Sequence, residues 1–159
     1  MEAHNHHECP FCSPHIRQSV FFEEGDYCAI YNIAPVLPGH SLVIPKKHMI
    51  SLLDFSPEEM SQFFSVARKT LRILMTAFNT DAFDWSIQEK PEAGQTIEHL
   101  HLHIVPRMKG DLKSPGDWYP LLQDHDSAYI DSLSRNQIHA DAMAQITKEL
   151  KAVAESLQI

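Results

Sequence analysis

The alternation of hydrophobic and polar positions along the chain predicts five strands and two helices. Short apolar runs bounded by turn residues are typical of strands, and Gly25-Asp26 between the first two runs is a hairpin signal. A third run follows the turn Pro38-Gly39-His40 and stops at a proline. The predicted strands are residues 20–24, 27–34, 41–45, 83–88 and 99–105.

Two longer periodic segments predict helices. The first begins with a capping box, in which Ser56 is the N-cap, Pro57 takes the first helical position and Glu59 closes the box. Its apolar face, with residues three or four apart, consists of Met60, Phe63, Phe64, Ala67, Leu71, Leu74, Met75 and Phe78. A C-terminal stripe consists of Ile138, Ala142, Ile146, Leu150, Val153 and Leu157. The stretch 108–134 carries no clear pattern.

Few, mostly sequential strands around one long helix are typical of an α+β fold with an antiparallel sheet. The length of 159 residues fits one domain, and neither an internal repeat nor a low-complexity linker interrupts it. We expect a single domain over residues 1–159, with a core at about 9–125 and a C-terminal helical extension at about 126–159.

Charge and composition exclude several classes of protein. A formal net charge of -8 disfavours a nucleic-acid surface, which needs clustered Lys and Arg. No apolar run reaches the roughly 18 residues of a membrane helix. Three cysteines do not form a disulfide framework, so we expect a reducing, cytoplasmic location. The unusual count is that of histidine, 11 in all.

Histidines alternate with apolar residues from His99 to Val105. On a strand, this pattern places three imidazoles on one face and the apolar residues on the other. A solvated polar face is one interpretation, although neighbouring imidazoles disfavour each other's protonation. Binding of one metal ion by all three is disfavoured because side chains at alternate positions spread along the strand.

A nucleophilic role fits the central imidazole better. His101 can attack an electrophile with one ring nitrogen while the other donates to an acceptor that fixes its tautomer. Just upstream, Gly94-Gln95-Thr96 supplies backbone, amide and hydroxyl donors. These are the donors that a phosphate needs in a protein without clustered positive charge.

Residues 91–107, Pro-Glu-Ala-Gly-Gln-Thr-Ile-Glu-His-Leu-His-Leu-His-Ile-Val-Pro-Arg, resemble the signature of the histidine triad superfamily, specifically its fragile histidine triad branch. Residues 32–40, Asn-Ile-Ala-Pro-Val-Leu-Pro-Gly-His, are similar to the nucleotide-side segment of that branch. The resemblance spans roughly residues 20–125. It implies a five-stranded antiparallel sheet with one long helix and a C-terminal helix, and a homodimer in which two sheets join into one.

The resemblance also implies the catalytic residues. His101 would be the nucleophile on the α-phosphorus of a nucleotide, forming a nucleotidyl-histidine intermediate that water then hydrolyses. His103 would bind and polarise the phosphates, and His40 would belong to the histidine network behind the nucleophile. From the residues alone, His40 is simply a turn residue after Pro-Gly.

Further residues are implied to bind the substrate. Gln95 would share the phosphates with His103, and Thr96 and Gln88 would lie close by. Asn32 would meet the ribose, although on its own it is an ordinary polar residue at a strand end. The implied partner is therefore a small nucleotide. The charge and hydropathy described above predict neither a nucleic-acid nor a membrane partner.

Cys9 and Cys12 have the spacing of two thiolate ligands in a tight turn. A structural zinc needs two more ligands, and no second pair lies nearby, so from the residues alone the plain alternative is two buried thiols. Several triad proteins outside the typical fragile branch pair such cysteines with two distant histidines. That resemblance implies a structural zinc on Cys9, Cys12, His48 and His99, and no catalytic metal.

The length after the triad and the lead-in motif favour hydrolysis of dinucleoside polyphosphates such as diadenosine triphosphate. The cysteine pair favours the alternative, a nucleoside phosphoramidase or general nucleotidyltransferase. A nucleotide-binding signalling module with incidental turnover is a third hypothesis.

Overall fold

The computed structural model describes residues 9–122 and 137–159, and its five strands form one sheet. The strands are β1 (Val20–Glu24), β2 (Tyr27–Tyr31), β3 (Ser41–Pro45), β4 (Ala82–Ile87) and β5 (Leu102–Arg107). Their order is β1-β2-β3-β5-β4, and every neighbouring pair is antiparallel. The predicted α+β class is confirmed. β4 is an edge strand, whereas β5 is inside the sheet. β5 contains His103, and His99 and His101 lie just before its start.

Two long helices and one short helix are described. They are α1 (Pro57–Ala77), α2 (Trp118–Leu122) and α3 (Ala140–Ser156). The predicted capping box of α1 is confirmed, because the Ser56 hydroxyl accepts the Glu59 N–H and the Glu59 carboxylate accepts the Ser56 N–H. Single 3₁₀ segments lie at Pro10–Cys12, Pro14–Ser19, Leu52–Asp54, Pro91–Ala93 and Pro115–Asp117.

α3 packs on the main core through a face close to the predicted stripe. Its buried residues are Met143, Thr147, Leu150 and Ala154. The prediction was wrong for Ala142, which is exposed, because the neighbouring Met143 takes the core position instead. The predicted boundary near residue 125 lies outside the described residues. In the two described parts of the chain, every helix is too short or too polar to cross a bilayer.

The two faces of the sheet differ. One face packs on α1 and α3 through residues such as Ala29, Val43 and Leu102. The opposite face carries a smaller apolar cluster of Phe11, Val20, Cys28, Ile30, Leu42 and Ile44. His103 shares this second face because it pairs with Leu42 across β3 and β5.

Three predicted strands differ from the structure at their ends, and β4 is shifted by one residue, to Ala82–Ile87 from the predicted 83–88. β2 stops at Tyr31 rather than at residue 34, because the Asn32 side-chain oxygen accepts the Ala34 N–H at 2.9 Å and turns the chain. β5 begins at Leu102 rather than at residue 99. The Leu100 N–H donates instead to the Met49 carbonyl at 2.6 Å, so the chain before Leu102 hydrogen-bonds to a loop and not to the sheet.

Candidate active site and metal centre

His101 precedes β5 by one residue and is 1% exposed. Its Nδ1–H donates to the backbone carbonyl of His99 at 2.6 Å. Its ring packs edge-on against His103 and Phe11, with centroid distances of 5.0 and 5.2 Å. Because the carbonyl can only accept, the proton of the neutral ring lies on Nδ1 and the lone pair on Nε2. The ring can therefore present Nε2 as a nucleophile.

The His103 ring, which packs against His101, also contacts a third buried imidazole, that of His40. His40 Nδ1 accepts the Val36 N–H at 3.2 Å, so the neutral His40 ring carries its proton on Nε2. That Nε2–H donates to His103 Nδ1 at 3.0 Å. Asn32 Nδ2 lies 3.3 Å from His40 Nε2. His103 consequently carries its own proton on Nε2, where it is a donor beside His101.

Gln95 is a buried amide at the end of the loop that leads to the histidines. Its Oε1 accepts the Lys90 N–H at 2.7 Å, and its Nε2 has no hydrogen-bond partner among the described residues. Lys90 has a φ of +75° and a ψ of 157°, a strained combination for a residue with a side chain. Thr96, the next residue after Gln95, is exposed in the same loop. The amide group thus offers a buried donor to a ligand.

Gln88 lies at the start of this loop, one residue after β4 ends at Ile87. Ile87 is the last residue of β4 to pair with β5, so Gln88 lies near the start of β5. Gln88 is buried, and within the described chain its Oε1 lacks a partner. Glu89 anchors the loop, because its carboxylate accepts the Ser51 hydroxyl at 2.9 Å and the Leu52 N–H at 2.7 Å.

A cavity of about 260 Å³ opens beside the histidines on the same face of the sheet. Its apolar wall includes Phe11, Ile16, Ile30, Ile33, Leu42 and Ile97. Asn32 adds a polar group to this wall. A largely apolar cleft with several polar groups on its wall, Gln18 and Tyr31 among them, suits a flat, partly polar ring system. Two further cavities, of about 420 and 580 Å³, lie along α3, and none of the predicted site residues lines them.

Cys9, Cys12, His48 and His99 meet next to this site, with one donor atom from each within 4.8 Å of the others. Cys9 Sγ lies 3.4 Å from His99 Nδ1, and Cys12 Sγ lies 3.4 Å from His48 Nδ1 and 3.6 Å from His99 Nδ1. Ligands around a tetrahedral Zn²⁺ have sulfur-to-nitrogen separations of ~3.5 Å, from bonds of ~2.3 and ~2.0 Å. The four side chains therefore fit a tetrahedral ion.

The protonation of these side chains also suits a cation. The His99 Nε2–H donates to the Pro45 carbonyl at 2.9 Å, which leaves Nδ1 as the ligand atom. Burial lowers the pKa of His99 to about 4, so the ring is neutral near pH 7. Burial and the adjacent Cys9 thiol raise the pKa of Cys12 to about 11, so a bound cation is needed to hold it as a thiolate.

Arg107 is the last residue of β5. Its Nε and Nη2 donate to the Asp111 carboxylate at 2.8 and 2.9 Å, and its Nη1 donates to Asp84 at 2.7 Å and to the Pro115 carbonyl at 2.6 Å. Arg107 lowers the pKa of Asp111 to about 2. The guanidinium thus ties β4 and the loop after β5 to the strand that follows the histidines.

The residues predicted from the sequence fall into two adjoining groups. The predicted metal ligands meet at one centre, and the predicted catalytic histidines meet beside it. Sequence analysis missed the apolar cavity, because Phe11, Leu42 and similar residues have the pattern of ordinary core positions. The pairing of Leu42 with His103 identifies the cavity wall, and that pairing depends on strand register, which the sequence pattern alone does not specify.

Comparison with known proteins identifies related sequences. A family model described as the HIT domain matches residues 13–110. The bis(5'-nucleosyl)-tetraphosphatase [asymmetrical] of Schizosaccharomyces pombe is 38% identical over 96 residues, covering 60% of this chain and 53% of that protein. The bis(5'-adenosyl)-triphosphatase of Dictyostelium discoideum is 39% identical over 105 residues, covering 65% of this chain and 70% of that protein. The chain thus spans about half the length of the yeast relative (53%).

A solved structure shares nearly the whole fold. It is that of a zinc-bound histidine triad family protein from Mycobacterium smegmatis, with a TM-score of 0.70 and 25% sequence identity. The similarity covers 97% of this chain and 98% of that one. The sheet and helices described above are therefore those of a known fold.

Proposed function

The chain belongs to the HIT domain family, and we propose that it hydrolyses dinucleoside polyphosphates, with diadenosine triphosphate as the expected type of substrate. The reaction takes place at an α-phosphate and passes through a nucleotidyl group on His101. The observation that carries the proposal is the hydrogen bond from His101 Nδ1 to the His99 carbonyl, because it leaves Nε2 unprotonated.

The proposed reaction has two displacement steps. In the first, the lone pair of His101 Nε2 attacks the α-phosphorus, a P–N bond forms, and the P–O bond to the leaving nucleotide breaks. In the second, water attacks the same phosphorus, the P–N bond breaks and the water's proton leaves to solvent. For diadenosine triphosphate the products are ADP and AMP. The His99 carbonyl stabilises the positive charge that the ring acquires in the covalent intermediate.

Donors around His101 support phosphate binding. The Nε2–H of His103 and the amide of Gln95 are the donors that we propose for the phosphate oxygens, and His40 fixes the tautomer of His103. Buried donors that are already oriented stabilise charge that develops on phosphate oxygens better than solvent does. Gln88 and Thr96 complete the proposed phosphate site.

The apolar cavity supports nucleoside binding. Its volume of about 260 Å³ is close to the ~300 Å³ of the smaller ligand pockets, and Asn32 on its wall is the polar residue that we propose for the ribose. The names of the relatives from yeast and slime mould agree with this class of substrate.

A panel of substrates tests the proposal. Diadenosine triphosphate and tetraphosphate are compared with adenosine phosphoramidate at equal concentrations, and kcat/KM is measured for each. We expect the anhydrides to be hydrolysed with the higher kcat/KM. Faster cleavage of the phosphoramidate would favour the phosphoramidase alternative, and tight nucleotide binding with negligible turnover of every substrate would favour the signalling module.

We propose that Cys9, Cys12, His48 and His99 hold one structural Zn²⁺. The donor distances and the neutral His99 ring support this assignment, as does the zinc in the mycobacterial structure. The ion would link the N-terminal turn to the segment before β5, and the phosphate chemistry needs no contribution from it. Elemental analysis of protein purified without chelators should give one zinc per chain, and its absence would contradict the assignment. We propose a cytoplasmic location, because cysteines that are not in disulfides are typical of a reducing compartment.

We also propose a symmetric homodimer formed through the β4 edge. An open edge strand exposes unpaired backbone groups, and β4 carries Phe83 and Trp85, exposed by 42% and 41%. Phe64 of α1 packs against Trp85 with a centroid distance of 5.9 Å and extends this apolar surface. Light scattering at micromolar concentration should give twice the mass of the 18.2 kDa chain. A monomer mass would contradict the proposal.

A further inference from the structure

Phe11 belongs to both of the sites described above. It lies between Cys9 and Cys12 in a single 3₁₀ turn, which is closed by a hydrogen bond of 3.0 Å from the Cys12 N–H to the Cys9 carbonyl. Its side chain, 8% exposed, also forms part of the wall of the 260 Å³ cavity. The segment that carries two metal ligands thus carries a wall of the proposed nucleoside cleft.

The Phe11 ring also fixes two histidines. It packs edge-on against His99, with a centroid distance of 5.6 Å and an interplanar angle of 87°, and against His101, at 5.2 Å and 69°. His99 offers Nδ1 to the metal centre, and its carbonyl accepts the Nδ1–H of His101. One aromatic ring and one histidine backbone therefore connect the metal ligands to the proposed nucleophile.

We propose that Phe11 is a positioning residue that couples the metal centre to the nucleotide site, so that Zn²⁺ and nucleotide each strengthen the binding of the other. This inference rests on the proposed function. Zn²⁺ on Cys9 and Cys12 holds their turn against His99, and the turn holds Phe11 against His101 and the cavity. Without the ion, the turn is held by weaker contacts, and the cavity loses a fixed wall.

The two binding events must be coupled by the same factor in both directions, because binding free energies form a closed cycle. The test uses AMP as the probe and isothermal titration calorimetry of the full chain. We expect the Kd of AMP to rise about tenfold when Zn²⁺ is removed by a chelator, within the usual range of coupling between two sites. A competition titration should show the affinity for Zn²⁺ rising by the same factor in saturating AMP. Circular dichroism of the metal-free protein verifies that it is folded at the temperature used.

Two variants separate coupling from simple loss of a wall. Phe11→Ala should bind Zn²⁺, since all four ligands are retained, yet its Kd for AMP should be the same with and without the ion. Ile33→Ala removes another apolar residue of the cavity, one that is 42% exposed and is not part of the metal turn. It should weaken AMP binding in both states and keep the tenfold difference.

The outcomes distinguish the inference from the proposals on which it rests. Equal AMP affinity of the zinc-loaded and metal-free protein would overturn the coupling alone. Coupling that persists in Phe11→Ala would overturn the role of Phe11. AMP binding to neither form would overturn the proposed function together with the coupling, and failure to bind Zn²⁺ at all would overturn the metal site together with the coupling.

Discussion

Replacing Gln95 should lower turnover far more than its position in a loop would suggest. The residue is 6% exposed, and within the described chain its Nε2 has no partner, so the amide is a desolvated donor, which the proposed function assigns to the phosphates. Removing one such donor from a site that stabilises developing negative charge costs roughly 10²–10³ in kcat. We expect a loss of this size in Gln95→Ala with diadenosine triphosphate.

The same substitution should also lower stability, because Gln95 Oε1 accepts the Lys90 N–H at 2.7 Å. Leaving a backbone donor without its acceptor costs about 1–3 kcal/mol of unfolding free energy. Gln95→Glu separates the two effects. It keeps an oxygen for the Lys90 N–H but replaces the amide nitrogen with an acceptor that repels phosphate. Turnover should therefore fall at least as far in Gln95→Glu as in Gln95→Ala.

The assay gives kcat and KM from rates over a range of diadenosine triphosphate concentrations, with urea unfolding of each variant in parallel. Glu92→Gln, an exposed change in the same loop, is the matched control and should leave both turnover and stability unchanged. If Gln95→Ala loses stability but keeps more than about a third of wild-type turnover, the amide only supports the loop, and its assignment to the phosphate site is wrong.

Three further changes test other parts of the structure. Asp111→Asn removes a carboxyl whose pKa Arg107 lowers from 3.8 to about 2. The ionised carboxylate therefore raises the free energy of unfolding above pH 4, and this contribution disappears as the pH falls through about 2. The Asp111 side chain is 11% exposed, and with allowance for solvent screening the stabilisation is ~1 kcal/mol. Urea unfolding should show wild type and variant converging as the pH approaches 2. Gly39→Ala should lower the free energy of unfolding by about 2–3 kcal/mol, because the added Cβ would lie 2.6 Å from a proline ring carbon at a φ of +90°. Gly110→Ala is the control, since Gly110 also has a positive φ but lies in open space, and it should lower the stability less in thermal unfolding. Trp85→Glu should shift the proposed dimer to monomer in light scattering, and an unchanged mass would place the interface elsewhere.

The fold was predictable where local pattern decides it. The capping box at Ser56 and the hairpin turn at Gly25 are local signals, and the structure confirms both. The start of β5 was not predictable, because the alternation continues from residue 99 to residue 105 while the backbone pairing begins only at Leu102. The competing acceptor for that backbone, the Met49 carbonyl, is distant in sequence.

The metal ligands of the candidate site could be predicted from the sequence, whereas the wall of its apolar cavity could not. Resemblance to a family supplied His48 as a partner of the distant Cys12, a pair that spacing alone leaves open. The contacts of Phe11 with both the metal centre and the cavity could not be predicted, because a single aromatic residue between two cysteines forms no recognisable sequence pattern. It emerges only when the N-terminal turn packs against the histidine segment.

The central claim is that His101 carries the nucleotidyl group, and a trapped intermediate tests it most directly. Protein in excess over diadenosine triphosphate is quenched during a single turnover, and the adduct is located by peptide mass spectrometry. We predict an acid-labile, base-stable adenylyl group on His101, which forms and decays as fast as the substrate turns over and is absent from His101→Asn. An adduct on a different residue, or a His101→Asn variant that keeps more than about a tenth of wild-type turnover, would contradict the account.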